Sequence, residues 1–260
     1  MGGDDGMSKK IDRVGEYFIT NEGYKIVIVE YNNNKDITVE FQDEHRVKVS
    51  TDYSTCKNGK IKNPYHPSVF GVGYIGVGKY KTSINYEKTE CYKDWQSMLK
   101  RAYDNKEKQK HPTYKDVTVN KELHCFQNFA KWWYDNYYEV GEEVMCLDKD
   151  ILIKGNKEYS PNTMIFVPQR INKLFEKSDR IRGDLPIGVC FNKNNNKYVA
   201  NCKVDGKTKY LGSYNTSHQA FLAYKEFKEQ YIKEIANAYK DVIPKQLYEA
   251  MYRWEVEITD

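Results

Sequence analysis

Residues 184–240 constrain the fold more than any other part of the chain. The segments "IGVCFNK" (187–193), "KYVANCKV" (197–204) and "TKYLGSY" (208–214) alternate apolar and polar side chains, the period of half-buried strands. They are joined by Asn194-Asn195-Asn196 and by Asp205-Gly206. The latter dipeptide tolerates positive φ and suits a two-residue hairpin. Thr216 or Ser217 can accept a first-turn amide and so cap a helix. Beyond it, Ala220, Ala223, Tyr224, Phe227, Tyr231, Ile235 and Ala238 recur at helical spacing. The pattern predicts a three-stranded antiparallel sheet packed on one helix that buries those seven residues.

Strand alternation assigns the two faces of this sheet. Phe191, Ala200 and Cys202 are expected towards the helix, and Asn192, Asn201, Lys203, Thr208 and Tyr210 away from it. The second set has the chemistry of a DNA-contacting surface: Asn can pair bidentately with adenine, Lys reaches guanine or phosphate, and Tyr donates to phosphate. A polar face that keeps a small sheet in water uses the same residue types. The words "GVCFNKNNNKYVANCKVDGKTKYLGSYNTSHQAFLAY" (188–224) resemble an AP2-type DNA-binding domain, matching at Gly188, Val189, Ala200, Leu211, Gly212, Tyr214, Thr216, Ala220, Ala223 and Tyr224. The resemblance covers about fifty residues and implies a sheet lying in the major groove with the helix behind it. The arginines of that family are absent here, so base readout is expected to be weaker or differently aimed.

Upstream, "EYFIT", "KIVIVEY", "DITVEF" and "RVKVS" alternate between turn signals, which suggests a small twisted sheet or an SH3-like barrel within residues 16–50. The Gly/Pro-rich stretch 57–81 contains Gly71-Val72-Gly73-Tyr74-Ile75-Gly76, a GxGxxG match. No βαβ unit surrounds it and no helix follows at once, so these glycines serve turns and not a nucleotide. Two amphipathic helices are expected next. Residues 91–105 bury Trp95, Met98, Leu99 and Ala102, and residues 121–136 bury Phe126, Phe129, Ala130 and Trp133, with His124-Cys125 a packed pair. The six cysteines lack CxxC or metal-ligand spacing, which reads as free thiols in a reducing cytoplasm. No run approaches the ~18 apolar residues of a membrane span, so no membrane partner is expected.

The stretch "CLDKDILIKGNKEYSPNTMIFVPQRIN" (146–172) reads as strand, loop, short strand and the start of a helix. With "YKDVTVNKELHCFQNFAKWW" before it, it resembles the HNH, or ββα-metal, endonucleases of phage homing type, especially those carrying an AP2 module behind the nuclease. "GKIKNPYHPSVFGVGYIG" is similar to the N-terminal part of such proteins. The resemblance implies a metal-binding Asn172 on the helix. Where the family has Asn-x-Pro-x-Asn, this chain has Tyr159 and Thr163, and Lys149 or Asp150 stands at the position of the general-base His. One signature residue of three is kept. Two readings follow. Asp148, Asp150 and Asn172 act together on a divalent metal (Mg or Mn), with Asp150 and Asn172 as ligands and a carboxylate as base, since the metal lowers the pKa of its bound water. Otherwise the unit is a scaffold that meets phosphates through Lys149, Lys154, Lys157 and Arg170.

The net charge of +4 is uneven, with 15 Lys/Arg against 8 Asp/Glu between Pro168 and Lys245. A basic C-terminal part suits a polyanion. The expected architecture is α+β and multi-domain. It comprises a disordered tail (1–10), an N-terminal β domain with connector (11–82), a degenerate HNH-like ββα unit with flanking helices (83–182) and an AP2-like domain with a C-terminal helix (183–260). The expected function is double-stranded-DNA binding, with metal-dependent nicking or cleavage if the site is active. The alternative is an inactive derivative that binds DNA or a host or phage protein.

Overall fold

Alternating side chains in the first fifty residues form a four-stranded antiparallel meander in the computed structural model, which describes residues 12–176, 183–258 and 260. The expected tail 1–10 lies outside the described residues. Strands β1 (Tyr17–Ile19), β2 (Lys25–Asn33), β3 (Asp36–Phe41) and β4 (Lys48–Thr51) pair in sequence order. Ile26, Ile28, Ile37, Val39 and Phe41 turn to one face, and each is essentially inaccessible to solvent. The short helix α1 (Tyr53–Lys57) brings Cys56 into that core, its first turn closed by the Thr55 amide donating to Asp52 Oδ1 at 2.9 Å.

The chain forms two compact units. The first runs to Glu107 and takes in Lys121–Lys131; the second comprises Lys108–Asn120 and Trp132–Asp260. In the first, the hairpin β5 (Ser83–Ile84) and β6 (Glu87–Lys88) precedes α2 (Glu90–Tyr103). Helix α2 buries Trp95, Met98, Leu99 and Ala102, and the Trp95 indole donates to Leu123 O at 2.8 Å. The glycine hexapeptide is a tight turn: Val69 bridges to Gly73, and a Cβ on Gly73 would come within 2.4 Å of Leu99 Cδ1. Glycine is required there so that the turn can approach α2.

Helix α3 (Asn105–Lys110) follows, and the next expected helix is shorter than its apolar pattern predicts. Residues Lys121–His124 form a 3-10 turn, and α4 (Phe126–Asn136) begins beyond it. The interruption has a cause in hydrogen bonding. The Tyr74 amide donates to His124 O at 3.0 Å, and the Phe126 amide donates to Tyr74 O at 2.9 Å. A loop strand thereby takes backbone groups that a continuous helix would use. His124 Nε2 lies 2.9 Å from the Tyr103 hydroxyl, and Cys125 is buried, as expected of a packed pair.

In the second unit, β7 (Thr118–Val119) runs parallel to β9 (Glu158–Tyr159). Strand β8 (Met145–Asp148) pairs antiparallel with β10 (Ile165–Pro168), which leads directly into the single turn α5 (Gln169–Asn172). Strands β11 (Val189–Asn192), β12 (Lys197–Val204) and β13 (Lys207–Tyr214) form an antiparallel sheet in that order. Asp205 and Gly206 both have positive φ, 48° and 80°, at the hairpin turn. Thr216 caps α6 (Ser217–Tyr239) by accepting from the Gln219 amide at 3.2 Å, and α7 (Lys245–Tyr252) follows.

Helix α6 serves two cores. Ala220, Phe221 and Tyr224 pack against Val189, Ala200 and Cys202 of the sheet. Further along, Tyr231, Ile232, Ile235, Ala236 and Tyr239 pack with Ile151, Ile165, Val167 and Ile171 of the ββα segment and with Leu247 and Met251 of α7. The ββα segment and the C-terminal sheet therefore share one helix as their packing partner. Full burial of a side chain such as Ile232 contributes about 1.5–3 kcal/mol. The predicted helical stripe is corrected at its end: Ala238 is exposed, whereas Ala236 and Tyr239 are buried. Past Tyr231 the helix leaves the sheet for a different neighbour, and the buried stripe rotates with it. The fold is mixed α+β, and among the described residues no helix is long and apolar enough to cross a membrane.

Candidate functional site

The orientation of β12 and β13 fixes what the C-terminal sheet presents. Cys202 lies opposite Lys209, and both face α6: Cys202 is buried, and Lys209 Nζ sits 4.4 Å from the Phe227 ring centroid. The neighbouring cross-strand pairs, Asn201 with Tyr210 and Lys203 with Thr208, consequently project to the opposite face. Lys203, Thr208 and Tyr210 are exposed and Asn201 is half-buried. An irregularity between Ala200 and Asn201 opens the ladder, adding Leu211 on β13 without reversing the alternation of β12.

Asn192, at the far end of the same face, lies opposite Lys197 and accepts the Asn194 amide at 3.0 Å through Oδ1. Asn201 Nδ2 lies 3.5 Å from Cys190 Sγ, so the face also carries an exposed thiol. Five of the expected residues thus share one surface. Phe191, expected towards the helix, packs at a tilt against Tyr198 at 5.0 Å between centroids and remains 40% exposed, because it lies beyond the reach of α6.

The ββα segment holds Asp148, Lys149 and Asp150 together at the end of β8, with their polar groups engaged, and carries Asn172 on α5 at the other end of β10. Asp148 ends β8, and its Oδ1 accepts the amides of Asp150 at 2.8 Å and Ile151 at 2.7 Å, closing the turn that leaves the strand. Burial, reinforced by the neighbouring Asp150, pushes the Asp148 carboxyl up to about 6, against the opposing pull of those two amides and of Lys149. Lys149 is itself buried, and its Nζ lies 3.1 Å from Asp150 Oδ2. Asn172 closes the turn of α5 by accepting the Phe175 amide at its carbonyl, at 3.1 Å. The register sets Asp148 opposite Ile165, whereas Pro168, next to α5, lies opposite Met145. The carboxylate therefore occupies the end of the ribbon away from α5, three residues from Pro168 and about 10 Å along the strand.

The expected phosphate-contacting cations differ in their engagement. Arg170 Nη2 lies 2.9 Å from Asp205 Oδ1, and hydrogen bonding to Tyr239 and this carboxylate raises its pKa above the ordinary guanidinium value. Lys154 Nζ donates to Asp260 Oδ2 and Glu255 O, each at 2.8 Å. Lys157 is exposed.

Asn156 is a residue the sequence reading passed over. Its Nδ2 donates to both Lys149 O and Glu158 O at 2.7 Å, tying together the two ends of the loop between β8 and β9. The Gly155-Asn156 dipeptide was the available signal, since Asn after Gly favours such self-bonded turns.

A divalent ion here would have to displace the Lys149 ammonium from Asp150, and Asp148 would offer it only Oδ2 without breaking the turn. Among the described residues no group of three or more His, Cys, Asp or Glu side chains is arranged to hold a metal ion. Compared with known proteins, the chain matches no family model, no curated protein and no solved structure.

Proposed function

We propose that the protein binds double-stranded DNA through the outward face of β12 and β13, with the ββα segment as the scaffold against which the reading sheet is held. The observation that carries this reading is the pairing of Asn201 with Tyr210 and Lys203 with Thr208 on the side of the sheet opposite α6. Two strands about 4.8 Å apart, with their side chains, suit a major groove about 12 Å wide. The group combines one cation, one amide and two hydroxyls, so phosphate contact and base-edge contact are both within its chemistry. The excess of basic residues between Pro168 and Lys245 supports the same partner, and the AP2-like words lie in the same segment.

The scaffold role is favoured by Asp148 closing a backbone turn and by Asp150 carrying the Lys149 ammonium. A nicking activity is the second reading, favoured by the elevated Asp148 carboxyl, which is tuned to the range useful for a general base. One experiment separates them. Purified protein is incubated with supercoiled plasmid in EDTA, Mg²⁺ or Mn²⁺, and binding to a duplex is followed in parallel. The proposal expects retarded but intact DNA under all three conditions. Metal-dependent nicking that is lost in Asp148→Asn would establish the enzyme instead.

A further inference from the structure

Beside the proposed DNA face, the second unit contains an open groove of about 930 Å³, the size of a site for a small ligand. Arg170 and Lys173 stand on its α5 side, and Asn201 and Lys203 stand on the β12 side. Tyr224, Lys228 and Tyr231 of α6 also line it, and Leu174, Ile187 and Val144 supply apolar wall.

Lys228 distinguishes this groove from an ordinary crevice. It is 9% exposed and lines the groove, and among the described residues no carboxylate forms an ion pair with its ammonium. Burial lowers its pKa from the ordinary lysine value, opposed by the thiol of Cys202. Desolvating an unpaired ammonium is costly, so a position of this kind is stabilised when an anion arrives. The acidic groups around the groove do not serve that purpose. Asp205 is engaged by Arg170 and by the Tyr231 hydroxyl, Glu143 accepts from the Tyr239 hydroxyl, and Glu176 is exposed.

We propose that this groove is a phosphate-binding site in which Lys228 supplies the cation, Lys173 flanks the phosphate oxygens, and the tyrosine and aliphatic walls receive an apolar or aromatic part of the same ligand. Several cations around one cavity suit a group with multiple charged oxygens better than a single carboxylate. The chemistry is that of a nucleoside phosphate, which reaches the groove either as a free mononucleotide or as a nucleotide of a bound strand. The site needs Lys228, which the sheet face does not use, and so it stands independently of the DNA-binding reading.

The test titrates wild-type protein and Lys228→Met with inorganic phosphate, a deoxymononucleotide and a DNA duplex, following heat of binding and thermal stabilisation. Lys228→Met is of similar length and removes a charge that burial disfavours, so it retains the fold; circular dichroism checks this. A deoxymononucleotide that binds the wild type and loses about ten-fold or more in affinity in Lys228→Met identifies the free ligand. The same loss confined to the duplex identifies the strand as the source. Mononucleotide binding that depends on Lys228 in a protein that ignores duplex DNA would uphold the groove while removing the sheet-face reading. If Lys228→Met alters neither phosphate, mononucleotide nor duplex binding, the groove is not a phosphate site.

Discussion

Lys209 holds its ammonium 4.4 Å from the centre of the Phe227 ring, behind the C-terminal sheet. This cation–π contact, together with the burial of Cys202 opposite it, anchors the phase of β13 against α6. With Lys209 turned inward, Thr208 and Tyr210 face outward, and the paired Asn201 and Lys203 go with them. A one-residue slip would exchange the two sets and move Lys209 to the solvent face. The proposed recognition surface therefore depends on a contact on its opposite side.

Gly188 is fixed by a close approach. It has φ of 76°, and a Cβ there would lie 2.0 Å from Tyr224 Cδ2. Gly188→Ala should destabilise the protein by about 2 kcal/mol or more, since it combines left-handed strain with a clash against a buried ring. Gly206→Ala, with similar φ but open space around it, should cost only about 1 kcal/mol. Urea unfolding of both variants measures the difference. Equal losses would mean that Tyr224 can move aside.

Asp148 makes stability depend on pH. Its carboxyl is pushed up to about 6, above the ~3.9 of an unfolded chain. Below about pH 4 both states hold the proton. Between pH 4 and 6 the unfolded state ionises first, so this group lowers stability as pH rises, and the loss is complete above about 6. Asp148→Asn keeps an acceptor oxygen for the two turn amides and removes the titration. It should exceed wild type by roughly 1–2 kcal/mol at pH 7, after allowance for partial solvent screening, with the advantage gone at pH 4. A difference between the two proteins that does not change with pH would contradict this.

Cys190 is an internal reporter for the sheet face. It is the exposed thiol of the six and lies 3.5 Å from Asn201 Nδ2. Burial pushes Cys56 up to about 11 and Cys91 up to about 12, so neither should compete for a thiol reagent at neutral pH. A chromogenic disulfide should modify Cys190 first, duplex DNA should slow that reaction, and the adduct should weaken DNA binding. Modification that is indifferent to DNA would move the interface elsewhere.

Much of this arrangement is legible in the sequence because local signals agree with one another. The Asp205-Gly206 turn, the alternation of β12 and the Thr216 cap all require the same sheet-and-helix unit, and it is present. Long-range competition is not legible in the same way. Tyr74 interrupts α4 from fifty residues upstream, and α6 changes partner past Tyr231, which exposes Ala238. In the candidate site, motif resemblance points to Asp148 and Asn172 but not to the commitment of Asp148 to two amides, since a turn and a metal site call for the same residue. Lys228 was visible as a charged residue within an apolar stripe, four positions after Tyr224 and three before Tyr231. Only tertiary packing reveals that no carboxylate among the described residues pairs with it.

The central claim is that the outward face of β12 and β13 meets the DNA backbone and bases. The most direct measurement is the affinity of wild type, Lys203→Ala and Asn201→Ala for a duplex as a function of salt concentration. Lys203 is exposed and lies opposite Thr208, so its removal should cost little in stability. Lys203→Ala should weaken binding on every duplex and reduce the slope of log K against log salt by about 0.9, the release of one counterion. Asn201→Ala should leave the slope unchanged and relax preference among related sequences by about 1–3 kcal/mol at one base pair. Identical affinities and salt slopes for all three proteins would contradict the account.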